Sequence, residues 1–236
     1  MVSKEEVRLI LRSLCFDAIY YVSFGIFCLY NIFLLPLPKK WLEKQLWLFS
    51  KWVLYVLHTV LGVECRVSGE KSEGACVVAA KHQSSLDIFL LIALFQNPAF
   101  VLKASYTRWP FFNFYAQKSS MISVRRGTRK DINTLLKGAQ RVFNEGRPLI
   151  IFPEGRRTYC DERPPLKSGI WFLAQHYSVP MLAVALKTGH VWPRKAFFKR
   201  SGIIDVSIKT FDFPLNNKKT WLKHLHDALN TLKTAS

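Results

Sequence analysis

The chain has 236 residues, 50% of them hydrophobic, and 34 Lys and Arg against 16 Asp and Glu, a formal net charge of +18. That length suits one compact domain with an appendage rather than two full domains, and a chain this basic is drawn to polyanions: nucleic acid, an anionic membrane or phosphorylated small molecules. Five cysteines, odd in number and without a CxxC pair, exclude a disulfide framework and a zinc site and suit a reducing compartment, with three of them in apolar runs and expected to be buried.

Residues 18–37, AIYYVSFGIFCLYNIFLLPL, contain no formal charge over about the length needed to cross a bilayer core. Asp17 interrupts the entry and no small-residue cleavage site follows, so this is no cleavable signal. Lys4, Arg8 and Arg12 precede the stretch and Lys39, Lys40 and Lys44 follow it, so both ends ask for the cytoplasmic side. Pro36 and Pro38 break the helix, and a second apolar stretch fills 41–62. Two arrangements fit: a membrane span, or a helical hairpin lying in the interface and anchored by Trp41, Trp47 and Trp52. Residues 1–62 are therefore expected to be membrane-associated helices and 63–236 an α/β domain. An apolar N-terminal third and many aromatics favour membrane lipid over nucleic acid as the polyanion, so no nucleic-acid partner is expected.

From residue 65 the pattern changes to short apolar runs alternating with helical ones. Runs 76–80, 99–104, 120–125, 148–152, 181–186 and 202–211 predict strands, and 84–96, 128–145, 168–177 and 218–233 predict helices. The alternation implies an α/β fold with a central mixed sheet covered by helices. His224 and His226 fall on a polar C-terminal helix without a third ligand and read as surface residues; no metal site is expected.

Three stretches carry polar groups at strand ends. In KHQSSLD (81–87), His82 ends the strand CVVAA and Asp87 follows five positions later. On one helix those side chains would diverge by about 140°; they meet only if His82 precedes the helix and Asp87 lies in its first turn. Ser84-x-x-Asp87 also approximates a capping box, which would account for Asp87 by itself. In IIFPEGRRT (150–158), an acid, a glycine and two guanidinium groups follow a strand; that set can hold phosphate and hydroxyls, and an acid between an apolar strand and a glycine turn calls for a specific partner. SVRRGTRKD (123–131) places four basic residues around Gly127, and Lys103 ends AFVLK. Ligands of α/β sheets gather at the carboxyl ends of strands, although convergence of these ends does not follow from sequence.

The set resembles the glycerolipid acyltransferase family. KHQSSLD matches its HX4D signature, IFPEGRRT its FPEG block, VRRG its second block and VPMLAVAL its fourth, in order and over roughly residues 60–215. Within the family the chain is most similar to the bacterial members that acylate 1-acyl-sn-glycerol 3-phosphate. The resemblance implies His82 as general base and Asp87 as its orienting carboxylate. It implies acceptor binding by Lys103, Arg126, Glu154, Gly155 and Arg157, and a donor-site or structural role for Pro180. The co-substrate would be acyl-CoA or acyl-acyl carrier protein, with no other cofactor. Membrane lipids and lysophosphatidate would be the partners, on the cytoplasmic face of a bacterial inner membrane. Arg125, Arg156, Thr158 and Ala183 depart from the residues usual at their positions. Glycerol 3-phosphate or another lysophospholipid is the alternative acceptor, and a non-catalytic membrane-binding protein the alternative of another class.

A thioester is already activated, so the chemical need is a base for the acceptor hydroxyl and donors for the oxyanion. Backbone N–H groups at the turn from strand to helix are the expected oxyanion donors, and direct transfer without an acyl-enzyme is expected.

Overall fold

The even-numbered side chains of the strand Cys76–Ala80 pack against one layer of helices and the odd-numbered ones against another, because side chains on a strand alternate between its faces. In this computed structural model, which describes residues 4–108, 110–125 and 129–232, that strand lies at the centre of a three-layer α/β sandwich. Arg126, expected in the acceptor site, lies outside the described residues.

Two long helices come first, α1 (Lys4–Leu34) and α2 (Lys39–Leu61), separated at Pro36 and Pro38. Gly62 ends α2 at φ 68, and its N–H closes onto His58 O, a left-handed cap that residues with a Cβ resist. The sheet follows: β1 (Val63–Ser68), β2 (Cys76–Ala80), β3 (Ala99–Lys103), β4 (Ile122–Val124), β5 (Pro148–Ile151), β6 (Met181–Leu186) and β7 (Gly202–Thr210). The connecting helices are α3 (Leu86–Leu94), α4 (Pro110–Lys118), α5 (Arg129–Asn144) and α6 (Gly169–His176), with α7 (Lys218–Asn230) at the end. The strand order is β1-β7-β6-β2-β5-β3-β4. Strands β6, β2, β5, β3 and β4 run parallel; β7 runs antiparallel to β6 and pairs in parallel with β1. The sheet is thus mixed, and the carboxyl ends of β2, β5, β3 and β4 share one edge.

One core joins Val78, Ala80, Phe100, Ile150 and Val184 to α3 and to the inner faces of α1 and α2, through Phe16, Phe49, Val53 and Leu57. The other joins Val77, Ala79, Leu149 and Ala183 to α5, α6 and α7, through Leu135, Ala139, Trp171 and Leu225. The inner face of the N-terminal helical pair shares the first of these cores with the sheet.

The expectation of three buried thiols does not hold. Cys76 is buried and Cys160 half-buried, while Cys15, Cys28 and Cys65 are exposed. The first two lie on the outward face of α1 and the third on the edge strand β1, where an apolar neighbourhood in sequence does not mean a covered side chain. Sequence periodicity also missed β1 and α4.

Candidate active site

β2 ends at Ala80, and the chain then crosses the sheet edge before α3 begins at Leu86. Continuing the alternation, Lys81 turns to the α7 side, where its ammonium donates to Asn230 Oδ1. His82 turns to the α3 side, where Asp87 in the first helical turn meets it at Nδ1–Oδ2 2.8 Å. His82 thus precedes the helix, the one arrangement that lets the two side chains meet.

Asp87 is completely buried. Its Oδ2 also accepts the backbone N–H groups of Gln83 (2.7 Å) and Ser84 (2.8 Å), and its Oδ1 accepts the Thr188 hydroxyl. The Asp87 half of the expected capping box and the His82 contact are both present, so one carboxylate closes the turn and fixes the imidazole. Ser84 Oγ in turn accepts the N–H of Leu86 at 3.1 Å. Four donors surround Asp87, so its position is set by four neighbouring groups rather than by its own rotamer. With Nδ1–H given to Asp87, the lone pair of the neutral imidazole is on Nε2. The His82 ring stacks on Phe152 at 4.0 Å between centroids and 15° between planes, and its side chain keeps 15% of its surface exposed.

The turn after β5 supports this group from below. Gly155 adopts φ 72 and its N–H returns to Phe152 O at 2.9 Å, a conformation that disfavours any side chain. Glu154 is 4% exposed, and its Oε2 accepts the backbone N–H of His82 at 3.0 Å. Thr158 donates its N–H to His82 O at 2.8 Å and its hydroxyl to the same oxygen at 3.1 Å. Burial pushes the Glu154 carboxyl above its usual range, partly offset by the His82 N–H and by Lys81, whose ammonium is 3.9 Å away. Glu154 has the specific partner its setting called for, and that partner is the backbone of His82. The carboxylate is buried beneath the His82 turn.

Arg157 extends toward α3 and donates from Nη1 to Ser85 Oγ at 2.8 Å. Arg156 turns outward and pairs with Glu162 (Nη1–Oε2 2.9 Å), so its charge is answered within its own loop. Lys103 is exposed at the end of β3. Alternation from Phe100 and Leu102, which face the α1–α3 core, assigns it to the opposite face from His82. Pro180 precedes β6 and accepts the N–H of Val77 at 2.9 Å. It therefore marks the amino end of the parallel strands, roughly 20 Å from the edge that carries His82 at ~3.3 Å per residue. The structure thus gathers His82, Asp87, Glu154, Gly155 and Arg157, and leaves Lys103 and Pro180 outside that group.

Two contributors were missed. Gln83 Oε1 accepts the N–H groups of Thr188 and Gly189, both at 3.2 Å, which ties the loop after β6 to the His82 turn and delivers the Thr188 hydroxyl to Asp87. Neither residue carries a motif signal, since each acts across more than a hundred positions of chain. Of the N–H groups in the turn expected to supply the oxyanion donors, those of Gln83 and Ser84 go to Asp87 and that of Leu86 to Ser84, and Arg157 stands beside the turn through Ser85. Among the described residues no cluster of His, Cys, Asp and Glu is disposed to hold a metal ion.

A histidine held by a buried carboxylate at the carboxyl edge of a mixed sheet is an arrangement able to take up a proton at Nε2. The profile of the Acyltransferase family matches residues 63–187, beginning where β1 begins, and the chain belongs to that family. It is 32% identical over 166 residues to the 1-acyl-sn-glycerol-3-phosphate acyltransferase of Saccharomyces cerevisiae, covering 67% of this chain and 55% of that protein. It is 28% identical over 163 residues to the Pseudomonas aeruginosa protein of the same name, covering 68% and 63%. The matched stretch thus spans less than two thirds of those relatives. The crystal structure of the 1-acyl-sn-glycerophosphate acyltransferase of Thermotoga maritima superposes with a TM-score of 0.69 at 24% identity, over 95% of this chain and 94% of that one; it shares this fold.

Proposed function

We propose that the protein transfers a fatty acyl group from an acyl thioester to the sn-2 hydroxyl of 1-acyl-sn-glycerol 3-phosphate, giving phosphatidate at a membrane surface. The observation that carries this reading is the His82 Nδ1–Asp87 Oδ2 contact at 2.8 Å with Asp87 completely buried, in a chain whose relatives bear the name of that activity.

His82 Nε2 takes the proton of the acceptor hydroxyl as its oxygen attacks the thioester carbonyl, and Asp87 stabilises the imidazolium that forms. The tetrahedral intermediate collapses with loss of the C–S bond, and the thiolate recovers the proton from His82. No protein acyl intermediate is needed. Ser84 Oγ is already engaged with Leu86 N–H and Ser85 Oγ with Arg157. Arg157, together with Arg126, is assigned to the acceptor phosphate, for which a guanidinium offers bidentate recognition. Glu154 and Gly155 serve the same reaction by shaping the turn under His82.

The helical pair is read as an interfacial anchor rather than a span. Towards the middle of α1, Ser13 accepts the Lys199 N–H and Asp17 pairs with the Lys199 ammonium; beyond its C-terminal end, the Leu35 carbonyl accepts the Lys118 ammonium. Contacts to the α/β domain at the middle of α1 and beyond its C-terminal end favour a helix lying along that domain over one leaving it. Val22, Ile26, Leu29 and Phe33, spaced to share a face, point outward and are 63 to 78% exposed. They are joined by exposed Trp41, Trp52 and Tyr55 of α2. That face, on a chain of net charge +18, fits the anionic cytoplasmic leaflet of a bacterial inner membrane.

The test is acyl transfer by the detergent-solubilised protein with lysophosphatidate and either acyl-CoA or acyl-acyl carrier protein, run beside His82→Ala, with glycerol 3-phosphate and lysophosphatidylcholine as rival acceptors. Phosphatidate is expected from the wild type alone. Turnover of a rival instead would move the acceptor and keep the mechanism; no transfer from any pair would end the catalytic reading.

A further inference from the structure

A second pocket lies behind the site, on the α7 side of the sheet. It is about 160 Å³ and is lined by Lys81, Gln83, Asp161, Arg163, Lys187 and Asn230, with Cys160 and apolar residues completing the wall. The reaction above uses none of its charged groups. Lys81 is 4% exposed, and a buried ammonium is costly unless a counter-charge answers it. Its contacts are two neutral oxygens, Asn230 Oδ1 and Glu162 O (3.5 Å), and the Glu154 carboxylate at 3.9 Å. Glu154 accepts from His82 N–H and from the Thr158 hydroxyl at Oε2 and turns only Oε1, at 3.9 Å, toward Lys81, while Glu162 gives its carboxylate to Arg156. Arg163 and Lys187 add two cations close enough to act on Lys81 electrostatically. Among the described lining residues Asp161 is the one carboxylate. Three cations therefore converge on a small, mostly polar recess with too little negative charge to balance them.

We propose that this recess is a phosphate-monoester site, built from Lys81, Arg163 and Lys187 and separate from the acceptor-binding face. Its size suits a single phosphate group rather than a lipid, and a buried lysine flanked by two exposed cations offers both a fixed point charge and an entry. Gln83 and Lys81 flank His82 in the chain, and Lys81 faces Glu154, which holds the His82 N–H. Occupancy is thereby coupled to the His82 turn. The phosphate could come free from solution or from the 3′-phosphate of a coenzyme A donor.

The experiment uses the full chain in detergent micelles. Its melting temperature is followed against orthophosphate at constant ionic strength held with chloride, since a ligand that binds only the folded state raises it. Arg163→Glu/Lys187→Glu and Arg163→Gln/Lys187→Gln are measured alongside; both positions are exposed, so folding is retained. A saturable rise is expected in the wild type, absent in the Glu pair and at least tenfold weaker in half-saturation in the Gln pair. No phosphate-specific rise in the wild type, or the same rise in the variants, would overturn the site. Competition distinguishes the sources. Coenzyme A displacing orthophosphate at least tenfold better than 3′-dephospho-coenzyme A assigns the occupant to the donor; equal or no displacement, with the rise still lost in the variants, assigns it to free phosphate. Acyl transfer on the same preparations keeps this apart from the proposed function. Phosphate binding without transfer removes the function and leaves the site; transfer without binding does the reverse.

Discussion

The two faces of the central sheet are built from the same strands and do opposite things with polar groups. On the α1–α3 face, His82 and Asp87 form a dense group in which each oxygen of the carboxylate has a donor. On the α5–α7 face, one residue earlier in the chain, Lys81 sits in a recess with surplus positive charge. The difference arises from the pleat alone: consecutive residues leaving β2 go to opposite sides. Glu154 is the only acid shown to touch both, through the His82 N–H on one side and Lys81 on the other. A group with closed hydrogen bonding holds a geometry; a group with unanswered charge waits for a ligand.

The sharpest way to break that contrast is Asp87→Asn. An amide cannot accept from Gln83, Ser84 and His82 at one atom and from Thr188 at the other without presenting N–H to a donor. Acyl transfer is expected to fall by roughly 10²–10⁴-fold, the range for loss of general-base assistance. Retained transfer in a folded variant would show that His82 needs no orienting partner. The helical layer gives the next effect. Asp17→Ala leaves the Lys199 ammonium, 5% exposed at its side chain, without its carboxylate, a loss of about 3 kcal/mol. Chemical denaturation should show it, with earlier proteolysis between α1 and α2. An unchanged denaturation midpoint would mean that α1 is held by its aromatic contacts to Trp192, Phe89 and Phe49 without help from the ion pair.

Which parts could be read in advance follows the same division. β2 and β6 were bounded correctly because both faces of those strands are covered, so VVAA and MLAVAL are continuous apolar runs. β1 was not, because VECRVS is an edge strand buried only at Val63, and its charged residues break the pattern. α4 was missed because PFFNFYAQK begins at a proline and its exposed Phe112 and Phe114 erase the amphipathic period. In the site, the His82–Asp87 pair was legible since both residues lie within one turn of chain. Thr188 and Gln83 were not, because their partners are a carboxylate and two N–H groups brought together by the β2–β6 pairing. The facing of Lys103 depended on the register of β3, which the residues alone do not state.

A milder effect is expected at the membrane. Trp41→Ala and Trp52→Ala remove exposed aromatic surface (52% and 43%) without touching either core. Partition onto anionic vesicles should weaken by on the order of tenfold per tryptophan, with transfer to a micellar acceptor unchanged. Equal binding by the double variant would move the anchor away from α2.

The smallest change, Glu154→Gln, addresses the residue common to both faces. The amide oxygen still accepts the His82 N–H, while the charge opposite Lys81 is lost, so stability near neutral pH should move by no more than about 1 kcal/mol. Its pH dependence is more telling. Burial raises the Glu154 carboxyl above its usual range, so the folded protein binds that proton more readily than the unfolded chain. Its contribution to stability is complete below the unfolded value and is lost as pH rises through the raised folded one. Denaturation of wild type and Gln variant from pH 4 to 8 should show the wild type losing ground relative to the variant over that rise and then levelling. The opposite slope would mean that Lys81 outweighs burial and holds Glu154 ionised. The recess would then carry less unanswered charge than its lining suggests, and the phosphate site would lose its driving force.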